Sequence, residues 1–162
     1  MSDNSISIKV VNSISELNRE DWDGCSRSHS TDSNVEIEDP FTSYDFLVAL
    51  EKSGSVGEKT GWLPYHLVAI WKDKLVGAAP LYLKSNSQGE YIFDHNWAHA
   101  FERAGGRYYP KLQNSVPFTP VTGRRLLVSK NAPSDTATVL LQSAIELCRQ
   151  NKLSSLHTTF CS

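Results

Sequence analysis

No acidic residue falls between Arg103 and Lys130, although the chain as a whole carries more Asp and Glu than Lys and Arg. That window holds Arg103, Arg107, Lys111, Arg124, Arg125 and Lys130, a local charge of +6 against −8 for the other 134 residues. Cysteine is scarce, with Cys25, Cys148 and Cys161 far apart and no CxxC among them. That spacing argues against a disulfide framework or a structural zinc site, and a reducing cytoplasm is the expected compartment. Long apolar runs are absent as well. The longest, Leu67 to Trp71, falls far short of the ~20 residues a membrane-crossing helix needs. No basic-then-apolar leader follows Met1, so no signal peptide is expected. A net charge of −2 argues against a generic nucleic-acid binder.

What is present fits one domain with a real core: 162 residues, 18.1 kDa and 40% apolar side chains, at a mean hydropathy of −0.36. Tyr108, Tyr109, Pro110, Pro117, Phe118, Pro120 and Gly123 interleave the basic window. This is not the composition of a solvated basic tail. The window therefore predicts a surface built to meet an anion.

Residues 5–11 alternate in hydropathy and read as a strand. Ser13 and Glu16 have capping-box spacing and predict a helix to about Trp22. Residues 24–39 are polar, acidic and aperiodic, and read as a mobile loop. A helix is expected over 43–52, with Phe46, Leu47 and Leu50 inward and Gly54 as its stop. Residues 66–71 and 75–83 flank Lys72-Asp73-Lys74 as a β-hairpin. A short strand over 90–93 precedes a helix from Asp94 to Ala104, in which Trp97, Phe101 and Ala104 recur at helical spacing, ended by Gly105-Gly106. Residues 111–121 read as one extended segment broken by Pro117 and Pro120. Leu126 to Val128 closes it. Ser134 is the expected cap of a helix to about Asn151, with Leu140, Leu141, Ala144, Ile145 and Cys148 on its buried face. Residues 153–160 form the last strand. His66 and His157 are expected at the edge of the core, and Trp62 and Trp71 as packing anchors. A strand so near the C-terminus leaves the sheet unfinished. The expected remedy is a missing C-terminal part, or a partner subunit in a homodimer.

Several runs carry a resemblance. They are Pro40-Phe41-Thr42-Ser43-Tyr44-Asp45-Phe46-Leu47, Gly77-Ala78-Ala79-Pro80-Leu81-Tyr82-Leu83-Lys84 and Gly89-Glu90-Tyr91-Ile92-Phe93-Asp94. The densest block is Tyr108-Tyr109-Pro110-Lys111-Leu112 with Val116-Pro117-Phe118-Thr119-Pro120-Val121-Thr122-Gly123. From Asp39 onward the chain resembles the FemAB-like family of GNAT-superfamily N-acyltransferases, described by peptidoglycan biosynthesis or recognition. The resemblance implies an α/β (α+β) fold: the N-terminal half of a GNAT-like domain over 1–162, with a mostly antiparallel central sheet flanked by helices. It also implies acyl transfer to an amine from an acyl-CoA or an aminoacyl-tRNA, with no metal and no covalently bound cofactor. Nucleic acid enters only if tRNA is the donor, and no membrane is implied. The usual acetyl-CoA loop, Arg/Gln-x-x-Gly-x-Gly/Ala running into a helix, is absent here, which counts against acyl-CoA as the donor.

Under that resemblance Phe118, Thr119, Val121, Thr122, Gly123, Arg124, Arg125 and Lys130 would hold the carrier. The positive end of the helix after Ser134 would assist them. Glu90, Asp94 and Glu102 are the carboxylates nearest the aromatic segment. A carboxyl raised by apolar neighbours such as Phe93 and Trp97 could deprotonate an incoming ammonium. Tyr109 is a candidate proton relay, and Tyr91, Trp97, Arg103, Tyr108 and Lys111 are candidates for holding the acceptor. His95 and His99, at i and i+4, have metal-ligand spacing but no third ligand in reach. The alternatives are a binding module of the same fold that recognises a carrier or cell-wall peptide, and an RNA-binding domain using the same basic window.

Overall fold

The computed structural model describes residues 5–29, 36–92 and 94–162. Strand β1 (Ser7–Val11) leads through a 3-10 turn (Ile14–Glu16) to helix α1 (Arg19–Ser26). Two short strands, β2 (Ser28–His29) and β3 (Glu36–Ile37), pair antiparallel before α2 (Tyr44–Lys52). β4 (Trp62–Pro64), β5 (His66–Trp71), β6 (Lys74–Ala79) and β7 (Leu81–Lys84) follow. Then come α3 (His95–Arg103), β8 (Lys111–Asn114), β9 (Leu127–Val128), α4 (Thr136–Gln150) and β10 (Leu156–Thr158). The architecture is α+β, with one four-stranded sheet in the order β1-β5-β6-β9 and another in the order β10-β8-β7-β4. Every pairing within them is antiparallel except β8 with β10.

The hairpin forms with Lys72 and Asp73 both at positive φ, 50° and 61°. Those angles suit a type I′ turn, whose twist matches paired strands. Its second arm is not one strand over 75–83. Pro80 has no amide hydrogen to give a ladder, and there the arm divides into β6 and β7, which enter different sheets. The facing arm breaks at Tyr65, whose amide donates to the Leu81 carbonyl at 2.8 Å. His66 secures the junction. It is wholly buried rather than at the core's edge, its Nδ1 accepting from the Leu81 amide at 3.1 Å and its Nε2 lying 3.2 Å from the Glu51 carboxylate.

Other expectations shift at element ends. Ser13 Oγ accepts from the Ser15 amide at 3.1 Å and Glu16 accepts from the Asn12 amide at 3.0 Å, but they close only the 3-10 turn. Asn18 caps a new helix that runs to Ser26, beyond Trp22. The expected loop over 24–39 thus starts as helix, and residues 28–29 and 36–37 pair; residues 30–35 lie outside the described part. No strand forms over 90–92, and Phe93 is also outside it. In the expected 111–121 segment only Lys111–Asn114 is a strand. α4 starts at Thr136 with Asp135, not Ser134, at its cap position.

Alternation sorts the core onto the two faces of the first sheet. Val68, Ala78 and Leu127 face α1 and α2, where Trp22, Cys25, Leu47 and Val48 are buried. Leu67, Ala69 and Ala79 face α4 through Leu140 and Ala144, joined by Leu81 and Leu112 of the second sheet. Leu141 and Ile145, expected on the buried face of α4, are exposed. Among the described residues no helix is long and apolar enough to cross a membrane.

α4 lies close to the sheet because Gly77 has no side chain. A Cβ there would stand 2.7 Å from Thr136 Cγ2 and 3.1 Å from Leu140 Cδ1. The Gly77→Ala variant should therefore lose about 1–3 kcal/mol to overpacking. Urea unfolding measures this, and unchanged stability would show that α4 can shift without cost.

Candidate functional site

The second sheet has two unlike faces, and its register says why. Trp62, Lys84 and Lys111 stand side by side across β4, β7 and β8. Tyr82, Gln113 and His157 form the next row across β7, β8 and β10. The intervening row, Leu83, Leu112 and Leu156, projects to the other face. There Leu112 is buried and Leu156 packs against the same cluster as α4. One face is thus apolar; the other is aromatic and charged, yet covered.

The connection over 85–92, with Asp94 ahead of α3, provides the cover. Gly89 makes the close passage possible: at φ +77° its missing Cβ would lie 2.4 Å from the Phe118 ring and 3.0 Å from Trp62 Nε1. Beside it the Gln88 carbonyl accepts from Trp62 Nε1 at 2.8 Å and from Lys84 Nζ at 3.0 Å. Glu90 and Asp94 are thereby carried over Lys111, whose Nζ donates to Glu90 Oε2 at 2.8 Å and to Asp94 Oδ2 at 2.6 Å. Tyr108 donates to Asp94 Oδ2 at 2.7 Å, Tyr109 to Asp94 Oδ1 at 3.3 Å, and Ser87 also donates to Asp94. Lys111 is wholly buried and both carboxylates nearly so.

The two carboxyl groups are driven apart. Burial would raise both, but in Asp94 the hydrogen bonds from Lys111, Ser87 and Tyr108 prevail and hold it well below the usual range. In Glu90 burial prevails over Lys111 and the carboxyl is raised. Among the described residues Glu90 Oε1 has no hydrogen-bond partner, and the buried Gln113 Oε1 and Ser115 Oγ of the β8 segment also lack one. Above the network opens a cleft of about 370 Å³, lined by Glu90, Asp94, Tyr108, His157 and Thr159 with Ile92 and Trp97 at the apolar side. Burial and the charge of Lys111 lower the His157 imidazole, favouring its neutral form.

The family model described as peptidoglycan biosynthesis/recognition, FemAB-like, matches residues 13–162. The chain belongs to the FemAB-like family. Comparison with curated proteins finds no match.

In this FemAB-like chain the fold brings Glu90, Asp94, Trp97, Tyr108, Tyr109 and Lys111 together around one cleft or its floor. It leaves the other candidates elsewhere. Trp97 is 75% exposed and Phe101 also lies open, because only Ala98 of α3 is buried. Glu102 and Arg103 are exposed at the far end of α3, and Tyr91 is exposed outside the cleft lining. The basic window is not one surface. Lys111 is under Glu90 and Asp94, while Arg107 reaches the Lys152 carbonyl at 3.3 Å. Arg124 donates to the Cys25 carbonyl at 3.1 Å and to that of Ser26, at the end of α1. Arg125 is 3% exposed and donates to the Thr159 carbonyl at 2.9 Å and the Val121 carbonyl at 2.6 Å. These two arginines brace the backbone and do not form the expected anion-holding lip. Phe118 packs on Trp62, Thr119 donates to the Pro117 carbonyl, and Gly123 bridges to Cys161. Val121, Thr122 and Lys130 are exposed.

Sequence reasoning passed over Lys84, Ser87, Gln113 and Thr159. The strand Lys111-Leu112-Gln113-Asn114 carried the signal, since a strand so short of apolar residues and yet central must have a polar face under cover. Removing the central cation tests the network. Lys111→Met leaves Glu90 and Asp94 buried without their partner and should cost about 3–5 kcal/mol at neutral pH. The stability Asp94 contributes is present above its unfolded value near ~3.9 and lost as pH falls through its lower folded value. The variant's deficit should therefore shrink on acidification, as its carboxyls protonate. Urea unfolding at neutral and acid pH checks both, and a small deficit independent of pH would refute the coupling.

Proposed function

We propose that this FemAB-like chain binds an amine-bearing peptide of peptidoglycan or its precursors in the cleft over Lys111, as the acceptor side of an N-acyl transfer. The observation that supports it is Glu90. Its carboxyl is raised, and its Oε1 is a buried acceptor that takes no hydrogen bond from the described residues, with Lys84 Nζ as near as 3.9 Å. An ammonium brings donors and no acceptor, the complement of such a floor. A raised carboxylate within reach can also take its proton. The freed amine would then attack the acyl carbonyl, forming the C–N bond as the bond to the carrier breaks. In this reading the acyl or aminoacyl group arrives on coenzyme A or on tRNA. With Arg124 and Arg125 spent on carbonyls, carrier contacts fall to the exposed Phe118, Val121, Thr122 and Lys130.

Recognition without turnover is the second reading, favoured by Asp94. Its carboxylate is occupied by Lys111, Ser87, Tyr108 and Tyr109 and held low, which suits an anchor rather than a base. Both readings need the amine.

A tripeptide with a free side-chain amine should bind, while its Nε-acetylated form should bind at least ~10-fold more weakly, a loss of about 1.4 kcal/mol. Affinity should rise with pH through the raised value of Glu90, since only the ionised carboxylate attracts an ammonium. Calorimetric titration measures this, and equal binding of the two peptides would remove the amine from the reading. Acyl gain on the tripeptide, read by mass with each donor supplied, separates transfer from recognition.

A further inference from the structure

Lys84 stands apart from the network that holds Asp94. It is wholly buried, and its Nζ lies 3.8 Å from the centroid of the Trp62 ring and donates to the neutral Gln88 carbonyl at 3.0 Å. Glu90 Oε1 is 3.9 Å away, near enough for an ion pair but too far for a hydrogen bond. Lys111, its neighbour across the strands, engages Glu90 at 2.8 Å and Asp94 at 2.6 Å. Of two like charges placed side by side, Lys84 is therefore the less compensated. It faces Glu90 Oε1, the acceptor with capacity to spare.

We propose that Lys84 and Glu90 form a proton-exchanging pair, in which Glu90 takes a proton from an ammonium in the cleft and delivers it to the neutral Lys84 amine. The inference rests on the amine-binding reading above. The step balances. An N–H bond of the ammonium breaks, leaving its electron pair on nitrogen, and an O–H bond forms on Glu90. That O–H bond then breaks as an N–H bond forms on Lys84, so Glu90 ends as carboxylate and Lys84 as ammonium. The second transfer requires the Glu90 side chain to rotate and close the 3.9 Å to Lys84 Nζ. Lys84 acts through Glu90 and not on the ligand, so it is a positioning residue for the proton.

The surroundings agree. Burial lowers the Lys84 ammonium to about 8, with Glu90 and Asp94 opposing and Lys111 assisting. The groups facing it are Lys111 from β8, Glu90 and Asp94 from the connection before α3, Tyr82 on its own strand and the uncharged Trp62 from β4. With its ammonium at about 8, Lys84 is neutral part of the time near physiological pH, whereas an unperturbed lysine near ~10.4 is not.

The test is a nuclear magnetic resonance titration of the full chain labelled in Lys and Glu, with Lys84 Nζ and Glu90 Cδ assigned through their own side chains. Lys84 should titrate about 2 pH units below the exposed lysines near ~10.4, and Glu90 Cδ should show a step at that same midpoint. Glu90→Gln should move the Lys84 midpoint down by removing an attracting charge. Lys111→Met should move it up by removing a repelling one. Lys84 titrating with the exposed lysines, or no step at Glu90, overturns the pair, and both are read on the wild-type chain even where a variant fails to fold. Adding the free-amine tripeptide near about pH 8 should shift Lys84 toward its protonated form. A tripeptide that binds and leaves Lys84 unmoved overturns the transfer. A tripeptide that does not bind overturns the amine-binding reading instead, and the step at Glu90 then decides the pair.

Discussion

Lys111 occupies a central strand position where an apolar side chain is the ordinary choice, and its charge is sustained because Glu90 and Asp94 come to it. Desolvating an ammonium costs several kcal/mol, and only close, hydrogen-bonded counter-charges offset that. Much of the neighbouring chain is arranged to supply them. Both carboxylates lie in one connection, which must pass close against the packed Trp62 and Phe118 side chains and turn at Gly89. The same connection opens α3, so the placing of one positive charge also fixes the wall of the cleft. A leucine at this position would remove the reason for the connection to fold inward.

The break at Pro80 makes such a site possible. Were 75–84 one strand in one sheet, its alternation would put the row of Tyr82 and Lys84 on the continuation of a face already filled by helices. Dividing the arm gives the second sheet its own pair of faces. The apolar one shares the α4 core with Leu67 and Ala79, while the polar one is free to be roofed by the connection over 85–92 and by Asp94. His66, bonded to the Leu81 amide on one side and to Glu51 on the other, satisfies polar groups that the broken ladder would otherwise leave buried and unpaired.

Elements driven by local chemistry were legible in the sequence: the hairpin at Lys72-Asp73, α2 with its stop near Gly54, and α4 with Leu140 and Ala144 inward. The grouping of Glu90, Asp94, Trp97, Tyr108, Tyr109 and Lys111 was legible as a neighbourhood, through family resemblance and proximity along the chain. Partnership was not. A run of arginines without nearby acids in sequence suggests an anion site, but the acids that meet Lys111 come from an earlier connection. The acceptors that meet Arg124 and Arg125 are backbone carbonyls, which leave no trace in composition. For the same reason Lys84 was invisible, because its distinctive environment is made by cross-strand register and by a loop carbonyl. Trp97 and Phe101 mislead in the other direction: their helical spacing is real, yet among the described residues Trp97 stays largely exposed and Phe101 meets only Tyr108 and the Gly106 turn.

Asp94 shows how local and tertiary demands were resolved. An aspartate just before a helix ordinarily turns back to cap the first free amides, at a gain of about 1 kcal/mol. Asp94 holds that position before α3 and makes no such bond. Its two oxygens are given to Lys111, Tyr108, Tyr109 and Ser87 instead. A helix with only Ala98 buried has little packing to hold it in place, so forgoing the cap weakens an element that is already lightly attached. The exchange is coherent only if the charge network does more for the protein than the cap would. It ties α3 to the sheet through Lys111, and it leaves Glu90 as the single carboxylate of the pair with an oxygen still to give. A local rule is broken at the residue where the cleft, the helix and the buried cation meet, which is where a site under functional constraint would be expected to break one.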